Sequence, residues 1–281
     1  MKMTKIQIIS LLIVLFFVLG CTQNTPEKSD TISIDIGSMK EKTYPPDFIQ
    51  DVKYLKLETN DDCVISNLDK VLFKNEQIFI LDRLEHAVFV FDLEGRFVRK
   101  YYHYGKGSGE YINLWDFDLS KDGNLIYFMD NTLDKLFMYS IQDEFIKEVR
   151  LKFNTNSFAC IDTSLIVFSQ NNRPNTNHPE FQNNLVFWDF KKEEVIKGFL
   201  PAERKRISYT MGNSSLYSSN NQLYHCPYYG GNIYEITKKG ITPFVTLTGG
   251  NFVDITDEGW RTMQSIDIIK TIRESDYDYA F

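Results

Sequence analysis

Three glycines at alternate positions make residues 104–111, YGKGSGEY, the segment of this sequence that most resembles a chemical site. Glycine-rich loops bind phosphate through backbone N–H groups, usually between a strand and the N-terminus of a helix. This segment lies between two predicted strands and lacks the Gly-Lys-Ser/Thr ending that reaches phosphate and magnesium. We therefore interpret it as a structural crossing, in which the glycines permit positive φ and the following acid and tyrosine seat the loop on its neighbour. The residues of this structural loop are Gly105, Gly107, Gly109, Glu110 and Tyr111.

Side chains that could perform catalysis show no recognisable spacing. The four histidines form neither an HxH pair nor an HExxH motif, so the sequence predicts no metal site and no cofactor. It also lacks the GxSxG motif and an identifiable pair of catalytic acids. Asp82 and Asp130 recur at the ends of equivalent strands, which favours a turn-stabilising role over catalysis. No catalytic residue is therefore assigned.

The N-terminus has the pattern of an export signal. Two lysines precede an apolar run over residues 6–19, which as a helix would span about 21 Å, less than the roughly 30 Å hydrocarbon core of a bilayer. VLGC then resembles a bacterial lipobox, although Val18 stands where leucine is usual, and it predicts lipidation of Cys21. Ordinary secretion with an incidental cysteine is the alternative. The predicted segments are a lipoprotein signal peptide at 1–20 and a lipidated cysteine with its tether at 21–50.

Charge and cysteine content narrow the range of partners. The formal net charge is −7 and the pI is about 5.2, whereas binding to nucleic acid needs a basic face. We therefore expect no nucleic-acid partner. Beyond the lipobox the cysteines are far apart and lie in or beside apolar segments, which favours structural thiols over metal binding or catalysis. These cysteines are Cys63, Cys160 and Cys226.

An internal repeat organises most of the chain. Residues 78–95, IFILDRLEHAVFVFDLEG, align without a gap with residues 126–143 and 223–240, and another copy is split by ten extra residues. One apolar position recurs in all copies at steps of 48, 49 and 48 residues. The residues at this position are Phe91, Tyr139, Trp188 and Ile236.

Each copy contains four short predicted strands. The central strands are almost wholly apolar, as when both faces of a strand are covered, and the outer strands alternate, with Lys and Arg toward water. DLEG at residues 92–95 and SKDG at 120–123 supply hairpin turns. A repeated four-stranded antiparallel unit of about 40–50 residues is a propeller blade. The predicted fold class is therefore all-β, a β-propeller with about four visible blades within residues 51–248.

Two segments also resemble a known family. Residues 104–149 resemble an NHL repeat, with a glycine loop, an acid and an aromatic residue, an inner strand, and DGN before a strand that ends in aspartate. Together with the lipobox and DVKYLKLET at residues 51–59, the chain resembles the six-bladed β-propeller lipoproteins of Bacteroidota. This resemblance implies an outer-membrane lipoprotein that is held by its lipid anchor and faces the periplasm or the cell surface.

The visible repeat ends before six blades are complete. We expect the strand at residues 52–58 to complete the last blade, as such N-terminal strands do in related propellers. Four apolar residues at helical spacing predict a helix at 257–275. We expect the C-terminal segment at 249–281 to contain this helix and then the start of a further strand. The sequence therefore favours an incomplete six-bladed ring in a truncated chain, and closure with four or five blades is the alternative.

The loops at one end of the propeller are the predicted recognition surface. The split copy carries QNNRPNTNHPEFQNN at residues 170–184, which is too long for a plain hairpin, and the last copy carries PYYGGN at 227–232. Solvated loops without a ligand are the alternative. The candidate ligand-binding residues are Arg173, His178, Tyr228 and Tyr229.

Two functions are consistent with the sequence. The favoured hypothesis is a non-catalytic binding or scaffold module on the envelope, which recognises a glycan, a peptide or a neighbouring envelope protein. The alternative is a metal-dependent hydrolase or lyase with its site in the propeller channel, as the related lactonases and vinyl-transfer lyases imply. A site assembled from distant blades would leave no sequence motif, so both hypotheses stay open at this point.

Overall fold

The computed structural model describes residues 31–37, 51–170, 175, 181–201, 215–227 and 230–251, together with 259, 267 and 270. In these ranges the strands form four sheets, each containing four antiparallel strands, which are the blades of a β-propeller, so the predicted fold class is confirmed. Strand β1 (Ile32–Asp35) comes first in the chain. The first blade contains β2 (Lys70–Lys74), β3 (Gln77–Asp82), β4 (Ala87–Asp92) and β5 (Phe97–Tyr101). The second contains β6 (Leu114–Leu119), β7 (Leu125–Asp130), β8 (Lys135–Ser140) and β9 (Phe145–Arg150). The third contains β10 (Ser157–Cys160), β11 (Leu165–Ser169), β12 (Asn183–Asp189) and β13 (Glu194–Pro201). The fourth contains β14 (Leu216–Ser219), β15 (Gln222–His225), β16 (Asn232–Thr237) and β17 (Gly240–Thr248).

Burial follows the position of each strand within its blade. In β3 every residue after Gln77 is buried, and in β4 every residue before Asp92 is buried. The outer strand β5 instead exposes Val98, Arg99 and Lys100. Central strands are therefore apolar throughout because neighbouring structure covers both of their faces, whereas the outer edge carries charge that opposes pairing with other chains.

Consecutive blades pack face to face through apolar clusters. The cluster between the first and second blades includes Phe79, Leu81, Val90, Leu114, Phe117 and Phe128. The cluster between the second and third includes Tyr127, Met129, Phe158, Phe168 and Trp188. The cluster between the third and fourth includes Val167, Leu185, Phe187, Leu216 and Ile236. The opposite face of the first blade packs against the segment at residues 57–65, mainly through Leu57, Cys63, Ile65, Ile78 and Phe89.

The pairing of each inner strand with the second strand defines corresponding positions in the four blades. The pairs are Val71 with Ile80, Phe117 with Phe128, Phe158 with Phe168, and Leu216 with His225. Phe117, Phe158 and Leu216 are buried against the preceding blade, whereas Val71 is 42% exposed. Phe73, farther along the same inner strand, is 71% exposed. This face of the first blade is therefore open within the described part of the chain.

The strand added to the fourth blade is β1, not the predicted strand at residues 52–58. Strand β1 pairs in parallel with β17, from Ile32 opposite Val245 to Asp35 opposite Thr248. Residues 52–58 form no strand and instead meet the first blade, where Glu58 N donates to Gly95 O at 2.8 Å. The prediction for 52–58 is therefore wrong, and the tether predicted at 21–50 includes a short strand of the fourth blade. The exposed edge of β17 pairs with whichever segment reaches it, and hydrophobic alternation does not reveal which one does.

The C-terminal prediction falls mostly outside the described residues. Residues 259, 267 and 270 are helical, and the rest of the predicted helix at 257–275 is not described. A search of the described residues finds no helix with the length and apolar character needed to cross a membrane. Cys63, Cys160 and Cys226 are free thiols.

Candidate functional site

The glycine loop lies in the crossing from β5 to β6 and is closed by its own backbone. Tyr111 N donates to His103 O at 2.9 Å, and Gly105 N donates to Tyr111 O at 3.0 Å. Tyr104 and Tyr111 also form an isolated parallel bridge. The fully buried Tyr111 hydroxyl donates to His86 O at 3.1 Å and accepts from His103 N at 3.1 Å. Tyr111 thus fastens the loop to the turn between β3 and β4 of the preceding blade.

The carboxylate of Glu110 fills the concave side of this loop. Gly107 N donates to Glu110 Oε2 at 2.7 Å, and Glu110 N donates to Gly107 O at 3.2 Å. A Cβ atom on Gly105 would overlap Glu110 Oε2, and one on Gly107 would lie 3.1 Å from it. The anion that this glycine loop holds is therefore a glutamate of the same loop.

The three glycines have different reasons to be glycine. Gly109 has φ of +80°, whereas the described positive-φ residues include neither Gly105 nor Gly107. The prediction of positive φ is thus right for Gly109 and wrong for the other two, where the close approach of Glu110 requires the missing Cβ. Gly109 N also donates to Glu148 Oε2 of the second blade at 3.0 Å.

Gly109→Ala is expected to destabilise the protein by about 2–4 kcal/mol, because the new Cβ adds a steric clash to an unfavourable φ. That atom would lie 2.9 Å from Phe145 Cδ2 and 3.0 Å from the Tyr139 hydroxyl. Gly230→Ala is the matched control, since Gly230 has φ of +89° but its Cβ position has no heavy atom of a described, non-adjacent residue within 4 Å. Urea unfolding should place Gly230→Ala within about 1–2 kcal/mol of wild type. Equal losses in the two variants would contradict the packing described for Gly109.

Asp82 and Asp130 each bind four backbone N–H groups in the same arrangement. Asp130 Oδ2 accepts from Ile112 N at 2.8 Å and Asn113 N at 2.9 Å, and its Oδ1 accepts from Thr132 N and Leu133 N at 2.7 and 2.9 Å. Asp82 makes the equivalent four bonds with Ser66, Asn67, Leu84 and Glu85. Each carboxylate therefore links the segment that leads into its blade with the turn after the second strand of that blade. Both carboxylates are fully buried.

The corresponding position in the third blade is Gln170, which uses a second amide to make the same connection. Asn175 Nδ2 donates to Gln170 Oε1 at 2.7 Å, and Asn175 Oδ1 accepts from Asn154 N at 2.8 Å. Asn154 lies in the crossing before β10, so the link again joins the blade entry to the loop after the second strand. The ten-residue insertion thus places one of its own side chains, Asn175, at a buried structural position.

Acidic side chains of β6 line the propeller channel and bond to the free edge of the next inner strand. Asp116 Oδ2 accepts from Phe158 N at 3.1 Å, and Asp118 Oδ2 accepts from Cys160 N at 2.7 Å. Lys70 of the first blade completes this row, since its Nζ donates to Asp116 Oδ1 at 2.9 Å and to Phe117 O at 2.7 Å. An inner strand has an unpaired edge facing the channel, and these side chains satisfy part of it.

The protonation of this row is set by burial and by the lysine. Burial raises the pKa of Asp118 despite the nearby Lys70 ammonium. Burial disfavours the charged form of Lys70 and so lowers its pKa, but the negative charges of Asp116 and Asp118 outweigh this effect, and the pKa of Lys70 is raised overall. Burial also raises the pKa of the Cys160 thiol well above its ordinary value. A thiol held in its neutral form has the character of a structural cysteine, because nucleophilic cysteines need a lowered pKa or an adjacent base.

The inner strands and the turns that follow them line a partly open cavity of about 720 Å³. Its lining combines the apolar Phe73 with polar turn residues of the fourth blade and several lysines. Lys238 is paired with Asp162 at 2.7 Å. The other lining lysines outside the channel row have no ion pair with any described residue. They are Lys74, Lys121 and Lys239.

The residues predicted to bind a ligand fall outside the described ranges. Arg173 and His178 belong to the insertion of the third blade, and Tyr228 and Tyr229 follow β15. Their role in ligand binding stays a prediction. Sequence reasoning missed Lys70, Asp116 and Asp118. The signal for them was available, because Lys70 and Asp116 occupy corresponding positions of the inner strands β2 and β6, opposite Leu81 and Met129.

No group of three His, Cys, Asp or Glu side chains that could hold a metal ion occurs among the described residues. Where acids converge, as in the row of β6, a lysine and backbone N–H groups already occupy their oxygens.

Comparison with known proteins supplies the family. A family model described as "Domain of unknown function (DUF4934)" matches residues 31–278. The chain belongs to this family. The start of the match agrees with the structure, since strand β1 of the fourth blade begins at Ile32. No curated protein matches the chain.

A solved structure shows that the DUF4934 chain shares its fold with a protein from Bacteroides. A protein of Bacteroides fragilis NCTC 9343, named as a predicted exported protein, is 23% identical, with a TM-score of 0.63 over 78% of this chain and 59% of the other. A DUF4221 family member from Bacteroides vulgatus is 15% identical, with a TM-score of 0.48 over 67% and 60% of the two chains. A virginiamycin B lyase from Staphylococcus aureus is 17% identical, with a TM-score of 0.37 over 66% and 62%. The chain thus spans about six-tenths of the length of these structures.

Proposed function

We propose that this DUF4934 chain is an exported, lipid-anchored, non-catalytic binding protein of the bacterial envelope, which holds an anionic ligand in the cavity of its propeller. The observation that carries this proposal is the cavity of about 720 Å³ walled by the inner strands, with lysines from different blades around it. Concave sites of this volume bind small molecules or short segments of polymers.

The balance of charge favours an anion. Three lysines that pair with no acid in the described ranges line the cavity, against the acidic side chains Asp118 and Glu235. The raised pKa of Asp118 further reduces the negative charge of the lining. The chain as a whole has a net charge of −7, so a lysine-rich cavity does not follow from composition. Lysines that converge on a concave surface focus the field and attract anionic groups such as the carboxylates of a glycan or a peptide.

Export and anchoring are supported by the N-terminal sequence. A basic start, a short apolar run and the lipobox-like VLGC favour lipidation of Cys21. The name of the Bacteroides fragilis protein with the same fold also refers to export. We place the protein on the outer membrane, with its ligand-binding cavity in the periplasm or at the surface.

The anchor and the cavity can be tested together. Membrane fractionation should find wild type in the membrane and Cys21→Ser in the soluble fraction. For the cavity, wild type should bind polygalacturonate or poly-glutamate in preference to uncharged dextran, and binding should weaken as salt increases. The triple variant Lys74→Ala/Lys121→Ala/Lys239→Ala should bind about 10-fold more weakly, at about 0.5 kcal/mol for each lysine.

The control for this experiment changes net charge equally at other surfaces. Lys56, Lys152 and Lys191 are exposed and lie outside the cavity lining. Their triple alanine variant should bind like wild type. An equal loss in both triple variants would show diffuse attraction and contradict the cavity site. Failure of wild type to bind any polymer in the panel would contradict the proposed binding function.

A further inference from the structure

The crossing that carries the glycine loop is longer than the next crossing along the chain. Strand registers make Tyr101 correspond to Val149 and Asp116 correspond to Ser157. The first crossing therefore contains 14 residues between these positions where the second contains 7, so it is seven residues longer than the next connection. Extra length on a rigid scaffold is where recognition residues tend to lie. The glycine loop is the bulk of this excess.

Three aromatic side chains beside the loop form a cluster that is partly open to solvent, and two of them, His86 and Tyr104, are stacked. The rings of Tyr104 and His86 are 4.8 Å apart and inclined by 20°, and the ring of Tyr102 is 6.3 Å from that of Tyr104. Lys100 Nζ lies 5.1 Å from the centroid of the Tyr102 ring. Tyr102 and Tyr104 are each 50% exposed. Single exposed tyrosines are ordinary, but a cluster of three neighbouring rings, in which each tyrosine is half exposed, is a defined surface.

Buried contacts hold this stack in place. The backbone of Tyr104 is bridged to Tyr111, and the Tyr111 hydroxyl bonds to His86 O and His103 N. The His103 ring is fixed in turn by stacking on Tyr139, at 4.2 Å between centroids, and by a 2.8 Å contact between its Nε2 and Asp143 Oδ1. The backbones of His86 and Tyr104, whose rings stack, are therefore tied to one buried residue, and a ligand would not have to order these segments on binding.

We infer that His86, Tyr102 and Tyr104 form a binding surface for a sugar ring of an oligosaccharide. Tyrosine combines a flat apolar face with a polar hydroxyl at its edge, which suits a pyranose with C–H groups on its face and hydroxyls on its rim. The nearby lysine adds a hydrogen-bond donor without a buried charge. This site is separate from the lysines of the cavity and does not depend on them.

Titration with neutral oligosaccharides tests the inference. The probes are hexamers of glucose, xylose, mannose and N-acetylglucosamine, with a proline-rich peptide for comparison. Isothermal titration calorimetry measures the binding of each probe. At least one hexamer should bind wild type, and Tyr104→Ala and Tyr102→Ala should each weaken its binding about 10-fold. Tyr104→Phe, which keeps the ring face, should weaken binding by less than about 3-fold.

Two exposed tyrosines elsewhere serve as matched controls. Tyr54 is 95% exposed and Tyr217 is 55% exposed, and their alanine variants should bind like wild type. The cavity triple variant should also bind the neutral hexamer like wild type, which separates this result from the proposed cavity function. Binding of the peptide alone, absence of binding to any hexamer, or equal losses in the control variants would each overturn the inference. Tyr102→Ala gives the answer if Tyr104→Ala does not fold.

Discussion

Asp130→Ala is expected to lower the free energy of unfolding by about 3–5 kcal/mol. Four backbone N–H groups lose the fully buried carboxylate that accepts their hydrogen bonds. Hydrogen bonds to a charged group contribute about 1.5–3 kcal/mol each, and water can replace only part of this set. Because the same carboxylate joins the blade entry to a turn, its loss should also loosen the crossing that carries the glycine loop. Urea unfolding monitored by fluorescence measures the loss.

A second aspartate with a similar set of bonds provides the control. Asp92 accepts from Glu94 N at 3.0 Å and Arg96 N at 2.9 Å, but it lies in an exposed hairpin turn. Asp92→Ala should cost about 1 kcal/mol or less because water replaces these bonds. Asp82→Ala should behave like Asp130→Ala, since the two sites match bond for bond. If Asp130→Ala cost no more than Asp92→Ala, the structural role assigned to these carboxylates would be wrong.

His225 is expected to make the protein about 3 kcal/mol less stable at pH 4 than at pH 7. Its side chain is buried, and neither ring nitrogen has a well-formed hydrogen bond with a described residue. Burial lowers the pKa of His225 from 6.5 to about 4, against a smaller opposing effect of the Ser215 backbone. The unfolded chain therefore binds a proton between pH 6.5 and 4 that the folded chain does not. Stability is present above pH 6.5 and is lost as the pH falls toward 4, at about 1.4 kcal/mol per unit of pKa difference.

His225→Phe isolates this effect. The corresponding residues of the other blades are Ile80, Phe128 and Phe168, so an aromatic ring suits the position. The variant should be about 1 kcal/mol more stable at pH 7, because two buried polar nitrogens are removed. Carboxylates also titrate below pH 6, so the quantity to compare is the difference between wild type and variant at each pH. Parallel stability curves from pH 7 to 4 would rule out a buried neutral histidine.

The tertiary structure alone decided which polar residues meet. Asp116 and Asp118 are two residues apart on a strand, so they share a face, but their partners are backbone N–H groups more than 40 residues away in β10. The glycine loop shows the same limit. Its sequence indicated a turn, whereas the close approach of Glu110 to Gly105 and Gly107 depends on how the loop folds back on itself. Side-chain contacts across blades are set by the spacing of the sheets, which no local pattern encodes.

The sequence by itself determined the blades. Strands predicted at IFILD and VFVFD are observed as Gln77–Asp82 and Ala87–Asp92, because a period of two and a step near 48 residues are properties of the chain. Only the tertiary structure decided that Ile32–Asp35, and not residues 52–58, pairs with the last strand. Both segments alternate apolar and polar residues, and an open sheet edge accepts either through identical backbone groups. Which one reaches that edge depends on the path of the whole chain around the propeller.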